Sequence, residues 1–93
     1  MEIKIQALKF TASDNQLDFV QKKVQRLERV LPRPDMEVDV TLTFQNDSFK
    51  AVLKVGGNII EKTTDTLENA ITAAEDAMRE KLVREKEKSG EIR

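Results

Sequence analysis

The spacing of apolar residues changes several times along this chain of 93 residues, and the order of those changes limits the folds it can adopt. From Glu2 to Phe10 apolar and polar residues alternate, which is the pattern of a strand with one buried face. Leu8 and Phe10 would fall on the opposite face from Ile3 and Ile5. We therefore expect a first strand whose end bends, bulges or changes burial.

A helical pattern follows the first strand. Ser13 and Gln16 have the spacing of a capping box, in which each side chain bonds the backbone N–H of the other residue. The next apolar residues are three or four positions apart, along one stripe of a helix: Leu17, Val20, Val24, Leu27 and Leu31. Pro32 and Pro34 should end this helix, because a proline ring clashes with the preceding helical turn.

Three further strands are predicted in the middle of the chain. The alternation is cleanest from Met36 to Phe44, and it returns from Phe49 to Val55 after the turn-forming residues Gln45-Asn46-Asp47. Gly56-Gly57-Asn58 tolerates positive φ and predicts a second tight turn, followed by a shorter strand over residues 59–63. Together these segments predict a meander.

The last predicted element is a helix with Asp65 as its N-cap and Glu68 in its first turn. It should run to about Lys88, with Gly90 just beyond its end. Its expected core stripe consists of Leu67, Ile71, Ala74, Met78 and Leu82.

The resulting order is β-α-β-β-β-α. A helix between the first two strands favours a parallel, right-handed crossover, while short turns make the next two pairings antiparallel. We expect a single α+β domain over residues 1–93. It should be a two-layer sandwich in which both helices cover one face of a four-stranded mixed sheet and the other face is open.

The composition excludes several kinds of chemistry. The chain has no Cys and no His, so it cannot form disulfides, thiolate or imidazole zinc sites, or Ser-His and Cys-His catalytic pairs. Neighbouring carboxylates such as Glu75 and Asp76 are expected by chance among 17 acidic residues. Gly56-Gly57 lacks the Lys-Ser/Thr of a phosphate-binding loop. We expect no enzyme activity, cofactor, metal ion or small-molecule substrate.

No membrane or secretory destination is predicted. No stretch approaches the roughly 20 apolar residues that span a bilayer, and Met1-Glu2-Ile3-Lys4 has no apolar signal-peptide region. We expect a cytoplasmic protein. With 16 basic and 17 acidic residues, a net charge of −1 gives no general attraction to nucleic acid, so any such binding requires a local patch.

The first helix contains a candidate patch. Lys22, Arg26 and Arg29 recur at i, i+4 and i+7, roughly opposite the apolar stripe, and Lys23 lies at their flank. Residues 19–27 include no acid. An ordinary solvated helix face would have the same pattern, so the residues alone leave both interpretations open.

The second helix contains a weaker candidate row, formed by Lys81, Arg84 and Lys88. Three glutamates lie among the bases, and Glu80 is favourably spaced for an i,i+4 ion pair with Arg84. An ordinary solvated helix face is therefore a stronger alternative to RNA binding on the second helix than on the first.

The sheet is a poorer candidate for RNA binding than the helices. Phe44 and Phe49 match the buried alternation of their strands, so we expect them in the core rather than stacking on bases. Phe19 falls at the edge of the helix stripe, near Val30, and packing against the proline connector is one expectation for it. On the second strand, Glu37 and Asp39 precede Thr41 and Thr43 on the open face, and the two carboxylates would repel phosphate.

In the order and spacing of its motifs, the chain resembles the ribosome hibernation promoting factor family, which includes the ribosome-associated inhibitor protein Y. The resemblance covers nearly the whole chain. It rests on Glu2-Ile3-Lys4-Ile5, on residues Phe19 to Glu28, and on Ala70-Ile71 leading into a charged helix. Within the second segment, Arg26-Leu27-Glu28 is similar to the family's basic-Leu-Glu signature.

This resemblance implies a protein that acts without catalysis. It would occupy the small ribosomal subunit near the decoding region and silence translation under stress or in stationary phase. The basic residues expected to contact ribosomal RNA are Lys22, Lys23, Arg26, Arg29, Lys81, Arg84 and Lys88. Because the sequence ends at Arg93, we expect the short type, and both the pairing of ribosomes and the idling of single ribosomes are compatible with it.

The chain departs from the family pattern on the second helix. Ala77 and Glu80 stand where relatives usually carry Lys and Arg, so we expect a weaker grip on RNA. An interaction module of the same fold with weak or lost RNA affinity is therefore the alternative. A general double-stranded RNA binder is disfavoured, because Asp65 and Glu68 occupy the helix N-terminus that is usually basic.

Overall fold

A computed structural model describes the backbone of residues 1–33 and 35–91, and the side chains within these ranges up to Glu85. The elements follow the predicted order β-α-β-β-β-α. Their bounds are β1 Glu2–Leu8, α1 Asp14–Gln25, a 3₁₀ segment Arg26–Val30, β2 Glu37–Gln45, β3 Ser48–Val55, β4 Asn58–Thr64 and α2 Leu67–Glu91.

The strands form one mixed sheet in the order β1-β2-β3-β4. β1 runs parallel to β2, with Ile3 beside Val38 and Ile5 beside Val40, while the other two pairings are antiparallel. Buried residues of the sheet and of both helices belong to one cluster, so the two helices cover the same sheet face. The predicted two-layer α+β sandwich is confirmed.

The core is built from the predicted apolar stripes. Leu27, Val38 and Leu53 are completely buried, and so is most of the stripe of α2: Leu67, Ile71, Ala74, Met78 and Leu82 are at most 1% exposed. Burial of these side chains is the main driving force for the sandwich, at roughly 25 cal/mol per Å² of apolar surface.

Phe44 and Phe49 are only half-buried, contrary to the expectation that they lie in the core. They stand opposite each other next to the β2–β3 turn, with ring centroids 4.8 Å apart. The Phe10 ring meets Phe49 edge-on at 5.4 Å. At this end of the sheet the rings therefore shield one another, and Phe49 contributes to the edge of the core.

The connection from β1 to α1 bends where the sequence pattern changes register. Lys9 follows the strand with a φ of 66°, and this turn returns Phe10 to the core side. Leu8 stays exposed. The capping box that starts α1 is present: the Gln16 N–H donates to Ser13 Oγ at 3.1 Å, and the Ser13 N–H donates to Gln16 Oε1 at 2.9 Å.

The first helix changes geometry at Arg26, so the expectation of one regular helix as far as Leu31 is wrong in this part. The Arg26 N–H donates to the carbonyl of Lys23, three residues earlier, which is the bonding pattern of a 3₁₀ turn. Residues three apart are eclipsed in such a turn. Arg26 and Arg29 therefore project in the same direction.

The start of α2 also differs from the expectation. Thr66, not Asp65, caps the helix: its Oγ1 accepts from the Asn69 N–H at 3.1 Å and its carbonyl from the Ala70 N–H at 3.0 Å. Asp65 instead accepts a hydrogen bond from the Asn69 side chain. At its other end α2 continues through Gly90, which was expected to lie outside the helix.

The two tight turns of the meander require positive φ. Asn46 and Asp47 have φ of 55° and 58°, as in a type I′ turn, whose twist matches that of the flanking strands. Gly56 has a φ of 60°, and a Cβ at this position would lie only 2.9 Å from Met36 Cε. The positive φ therefore favours glycine at position 56, whereas the Met36 methyl group lies at the end of a flexible side chain that can shift.

Candidate nucleic-acid interface

A groove runs between the first helical segment and α2 on the outer side of the helical layer. Its volume is about 720 Å³, and its lining residues are Lys22, Gln25, Arg26, Glu28, Arg29, Val30 and Arg79. We call it the interhelical groove. Four of these side chains are basic and one is acidic, so the groove is locally positive although the chain as a whole is nearly neutral.

Local geometry brings these bases together. Lys22 lies on the last turn of α1, one turn before Arg26, and the 3₁₀ geometry aligns Arg26 with Arg29. Leu27 lies between these arginines in sequence and is completely buried, so it fixes the segment on the core while the arginines face outward. Arg79 is contributed by α2, on the opposite wall. Each guanidinium group in such a row can donate two parallel hydrogen bonds to the oxygens of one phosphate.

A second, smaller depression lies beside the groove and shares Lys22 and Arg26 with it. Phe19 is half-buried in this depression, and the Lys23 ammonium lies 5.8 Å from the centroid of its ring. At this distance a cation–π attraction holds the lysine side chain over the ring. Phe19 also packs against the core cluster.

The seven residues predicted to contact RNA are therefore not all in one place. Lys22, Arg26 and Arg29 line the interhelical groove, and Lys23 lies in the adjoining depression. Lys81 and Arg84 are exposed on α2, but they are about 200° and 140° around the helix axis from Arg79. The side chain of Lys88 lies outside the described residues.

Several of the bases already have acidic neighbours. Lys22 Nζ is 3.0 Å from Asp18 Oδ2, and Arg84 Nη2 is 2.5 Å from Glu80 Oε1. All four side chains are well exposed, and such surface pairs stabilise a protein by only about 0–1 kcal/mol. Phosphate groups can therefore replace the carboxylates as partners at small cost.

Arg79 is the groove residue that sequence reasoning missed. In a helical projection Arg79 lies on the flank opposite Lys81 and Arg84, and the sequence gives no indication of what it faces. Its guanidinium donates to Asp76 at 2.9 Å and lies 3.6 Å from Glu75, and 35% of its side chain is exposed. Only the packing of α2 against the first helical segment places it beside Arg26 and Arg29.

Glu75 was also missed, because it was taken as one of many neighbouring carboxylates. Its side chain is completely buried, and among the described residues neither carboxylate oxygen has a hydrogen-bond donor. Burial raises the pKa of Glu75 above its usual range, while the positive charges of Arg79, Arg26 and Lys23 oppose that shift. A buried, unsatisfied carboxylate beneath a basic groove is unusual and calls for a physical explanation.

A signal for Glu75 was present in the sequence. Glu75 follows Ile71 by four residues and precedes Met78 by three, so it occupies the apolar stripe of α2 itself. An acidic residue at a core position of a helix is buried unless the helix rotates about its axis. The i,i+4 spacing from Glu75 to Arg79 also indicated its partner.

The open sheet face balances its charges rather than presenting acids alone. Lys4 Nζ lies 2.5 Å from Glu37 Oε1, and this hydrogen bond, together with the charge of Glu37, raises the pKa of Lys4. Lys54 stands opposite Asp39 in the β2–β3 register. Thr43, expected on the wet face, is only 8% exposed. This face therefore offers no concentrated charge comparable to that of the interhelical groove.

Comparison with known proteins agrees with this architecture. Residues 3–89 match the sequence pattern of the family described as Sigma 54 modulation protein / S30EA ribosomal protein. The chain belongs to this family. The resemblance to hibernation promoting factors and protein Y that the sequence indicates is thus confirmed. A search of curated proteins finds no match.

Two solved structures of similar proteins share the fold. The N-terminal domain of Thermus thermophilus Protein Y superposes with a TM-score of 0.76 at 24% identity, covering 90% of this chain and 98% of that domain. A ribosomal subunit interface protein from Coxiella burnetii gives a TM-score of 0.70 at 17% identity, covering 92% of this chain and 98% of its own. At these identities the likeness concerns the fold.

No helix in the described part of the chain is both long and apolar enough to cross a membrane. Within residues 1–33 and 35–91, and among the side chains described there, no three acidic groups converge closely enough to hold a metal ion.

Proposed function

We propose that residues 1–93 form one ribosome-binding domain that occupies the small ribosomal subunit near the decoding region. It binds ribosomal RNA there and silences translation without catalysis, in the cytoplasm and under stress or in stationary phase. The observation that carries the proposal is the interhelical groove, in which Lys22, Arg26, Arg29 and Arg79 concentrate positive charge on one side of a nearly neutral chain. Membership of a family that includes a ribosomal protein supports a ribosomal partner.

The mechanism is occupancy. Guanidinium groups held on short helical segments bind phosphates of folded RNA and fix the orientation of the domain. A folded domain bound in the decoding region excludes messenger and transfer RNA sterically. The open sheet face then lies away from the RNA, which agrees with its mixture of acids and bases.

A specific observation favours the alternative, an interaction module with weak or lost RNA affinity. Arg84 is paired with Glu80, Lys22 with Asp18, and Arg79 with both Asp76 and Glu75. Each of these acids reduces the local positive potential. Among the groove bases, Arg26 and Arg29 then carry most of the affinity in the main proposal.

Cosedimentation with purified small ribosomal subunits over a salt series tests the proposal. We expect binding near 0.1 M salt that weakens as salt rises, with log Kd changing by roughly 3 per tenfold change in salt for about four phosphate contacts. No binding even at low salt would favour the alternative module. Equal affinity for an arbitrary RNA duplex would instead indicate a general double-stranded RNA binder.

Glu80→Arg is expected to strengthen subunit binding by about 3- to 10-fold at low salt if the second-helix row contacts RNA. The substitution adds a base and also releases Arg84 from its ion pair. The matched control is Glu61→Arg on β4, which makes the same change of charge and removes a partner of Lys50 on the open sheet face. An equal gain in both variants would reflect net charge, and no gain in either would remove Lys81, Arg84 and Lys88 from the site.

A further inference from the structure

Glu75 has an environment that only partly supports its charge. Its carboxylate is completely buried, yet within the described part of the chain it accepts no hydrogen bond. Arg79 Nη1 lies 3.6 Å from its Oε2, beyond hydrogen-bond distance. Buried carboxylates normally accept several hydrogen bonds when ionised, because burial alone strongly disfavours the charge. The balance between ionised and protonated Glu75 therefore depends on the nearby cations.

The charged groups that face Glu75 come from both helical segments. On α2 these are Arg79 and Asp76, and from the first helix and its 3₁₀ extension they are Lys23 and Arg26. Arg79 and Arg26 also line the interhelical groove. The same two arginines can thus interact with two negative groups: the buried carboxylate of Glu75 on the core side, and any anion bound in the interhelical groove on the solvent side.

Phosphate groups in the groove would compete with Glu75 for these arginines. The phosphates draw the guanidinium groups outward into short hydrogen bonds, and they add negative charge near the carboxylate. Both effects disfavour the ionised form of Glu75 and therefore favour protonation of its carboxylate. We propose that Glu75 takes up a proton when RNA phosphates enter the interhelical groove, so that acidification tightens RNA binding.

Thermodynamic linkage between protonation of Glu75 and RNA binding sets the size of the pH effect on affinity. If RNA favours protonated Glu75, protonation must favour RNA by the same factor. Affinity should then rise by up to about tenfold for each unit by which bound RNA raises the pKa of Glu75. The chain contains no histidine, the side chain that normally titrates between pH 5 and 8. This inference rests on the proposed function, because it requires RNA in the groove.

The test is calorimetry of the full chain binding purified small ribosomal subunits at several pH values from 5 to 7.5, each in two buffers with different ionisation enthalpies. The difference between the heats measured in the two buffers, divided by the difference between their ionisation enthalpies, gives the number of protons taken up per complex. We expect the unsubstituted protein to take up more protons than Glu75→Gln in this pH range. Protons exchanged by the subunit RNA and by all groups other than Glu75 are common to both proteins, so they cancel in the comparison.

A second variant covers the case in which a buried glutamine disturbs folding. Glu75→Leu has a similar volume, matches the neighbouring apolar stripe and also removes the titrating group. For both variants we expect subunit affinity to change less between pH 5.5 and 7.5 than for the unsubstituted protein. A merely structural role of Glu75 would shift affinity equally at every pH.

The outcomes separate this inference from the proposed function. If all three proteins bind with the same proton uptake and the same pH dependence, the coupling is overturned while ribosome binding stands. If none binds the subunit at low salt, both are overturned. Greater proton uptake by the unsubstituted protein, together with its steeper pH dependence, supports the coupling.

Discussion

Replacing Arg26 and Arg29 together by glutamine is expected to weaken binding to the small ribosomal subunit by about 100-fold. Each arginine can form charge-assisted hydrogen bonds with phosphate, worth about 1.5–3 kcal/mol, and 1.4 kcal/mol corresponds to a tenfold change in affinity. The 3₁₀ turn aligns the two guanidinium groups in the interhelical groove, so one double substitution removes adjacent contacts. The measurement is Kd at several salt concentrations, where the salt dependence should also become shallower.

The matched control for this experiment is Lys50→Gln with Lys54→Gln. It removes the same amount of positive charge from β3, whose Lys50 pairs with Glu61 on the open sheet face. Arg26 and Arg29 are exposed, so glutamine there should leave the fold intact, which circular dichroism can verify. An equal loss of affinity in both double variants would mean that net charge, not the groove, determines binding.

The fold could be predicted from the sequence because each element carries its own periodicity. Alternation from Met36 to Val55 fixed the hairpin, and the three- and four-residue spacing of Val20, Val24 and Leu27 fixed the buried side of the first helix. The finer errors concern choices between nearly equal local states. Thr66 and Asp65 are both competent caps, and a 3₁₀ turn differs from an α-helix only in that each N–H donates to the carbonyl three residues earlier instead of four.

The candidate site was only half predictable. Periodicity places Lys22, Arg26 and Arg29 on one side of their helix, and the structure agrees. It cannot say which residue of another helix will stand opposite, because that depends on how the two helices pack. Arg79 was therefore missed, and the row that contains Lys81 and Arg84 does not line the interhelical groove, so their contact with RNA stays a prediction. Glu75 could have been found, since its position among apolar residues is visible without any structure.

Glu75→Leu is expected to raise the free energy of unfolding near neutral pH by about 1–3 kcal/mol, which is the cost of burying a polar group without hydrogen bonds. The substitution removes a buried, unsatisfied carboxylate and extends the stripe formed by Ile71, Met78 and Leu82. Arg79 is not left stranded, because it keeps Asp76 at 2.9 Å and is partly exposed. Urea unfolding of both proteins at neutral pH measures the difference.

The pH dependence of this gain provides the sharper measurement. The pKa of Glu75 is raised in the folded state, so the folded protein binds a proton more tightly at this site than the unfolded chain. Its contribution to stability is therefore fully present below the pKa of an unfolded glutamate, about 4.3, and is lost as pH rises through the folded pKa. The advantage of Glu75→Leu should accordingly grow as pH rises from about 4.3 to the folded pKa of Glu75, and it should be constant at higher pH. A constant advantage over that range would show that Glu75 does not titrate there and would leave only its packing to explain the gain.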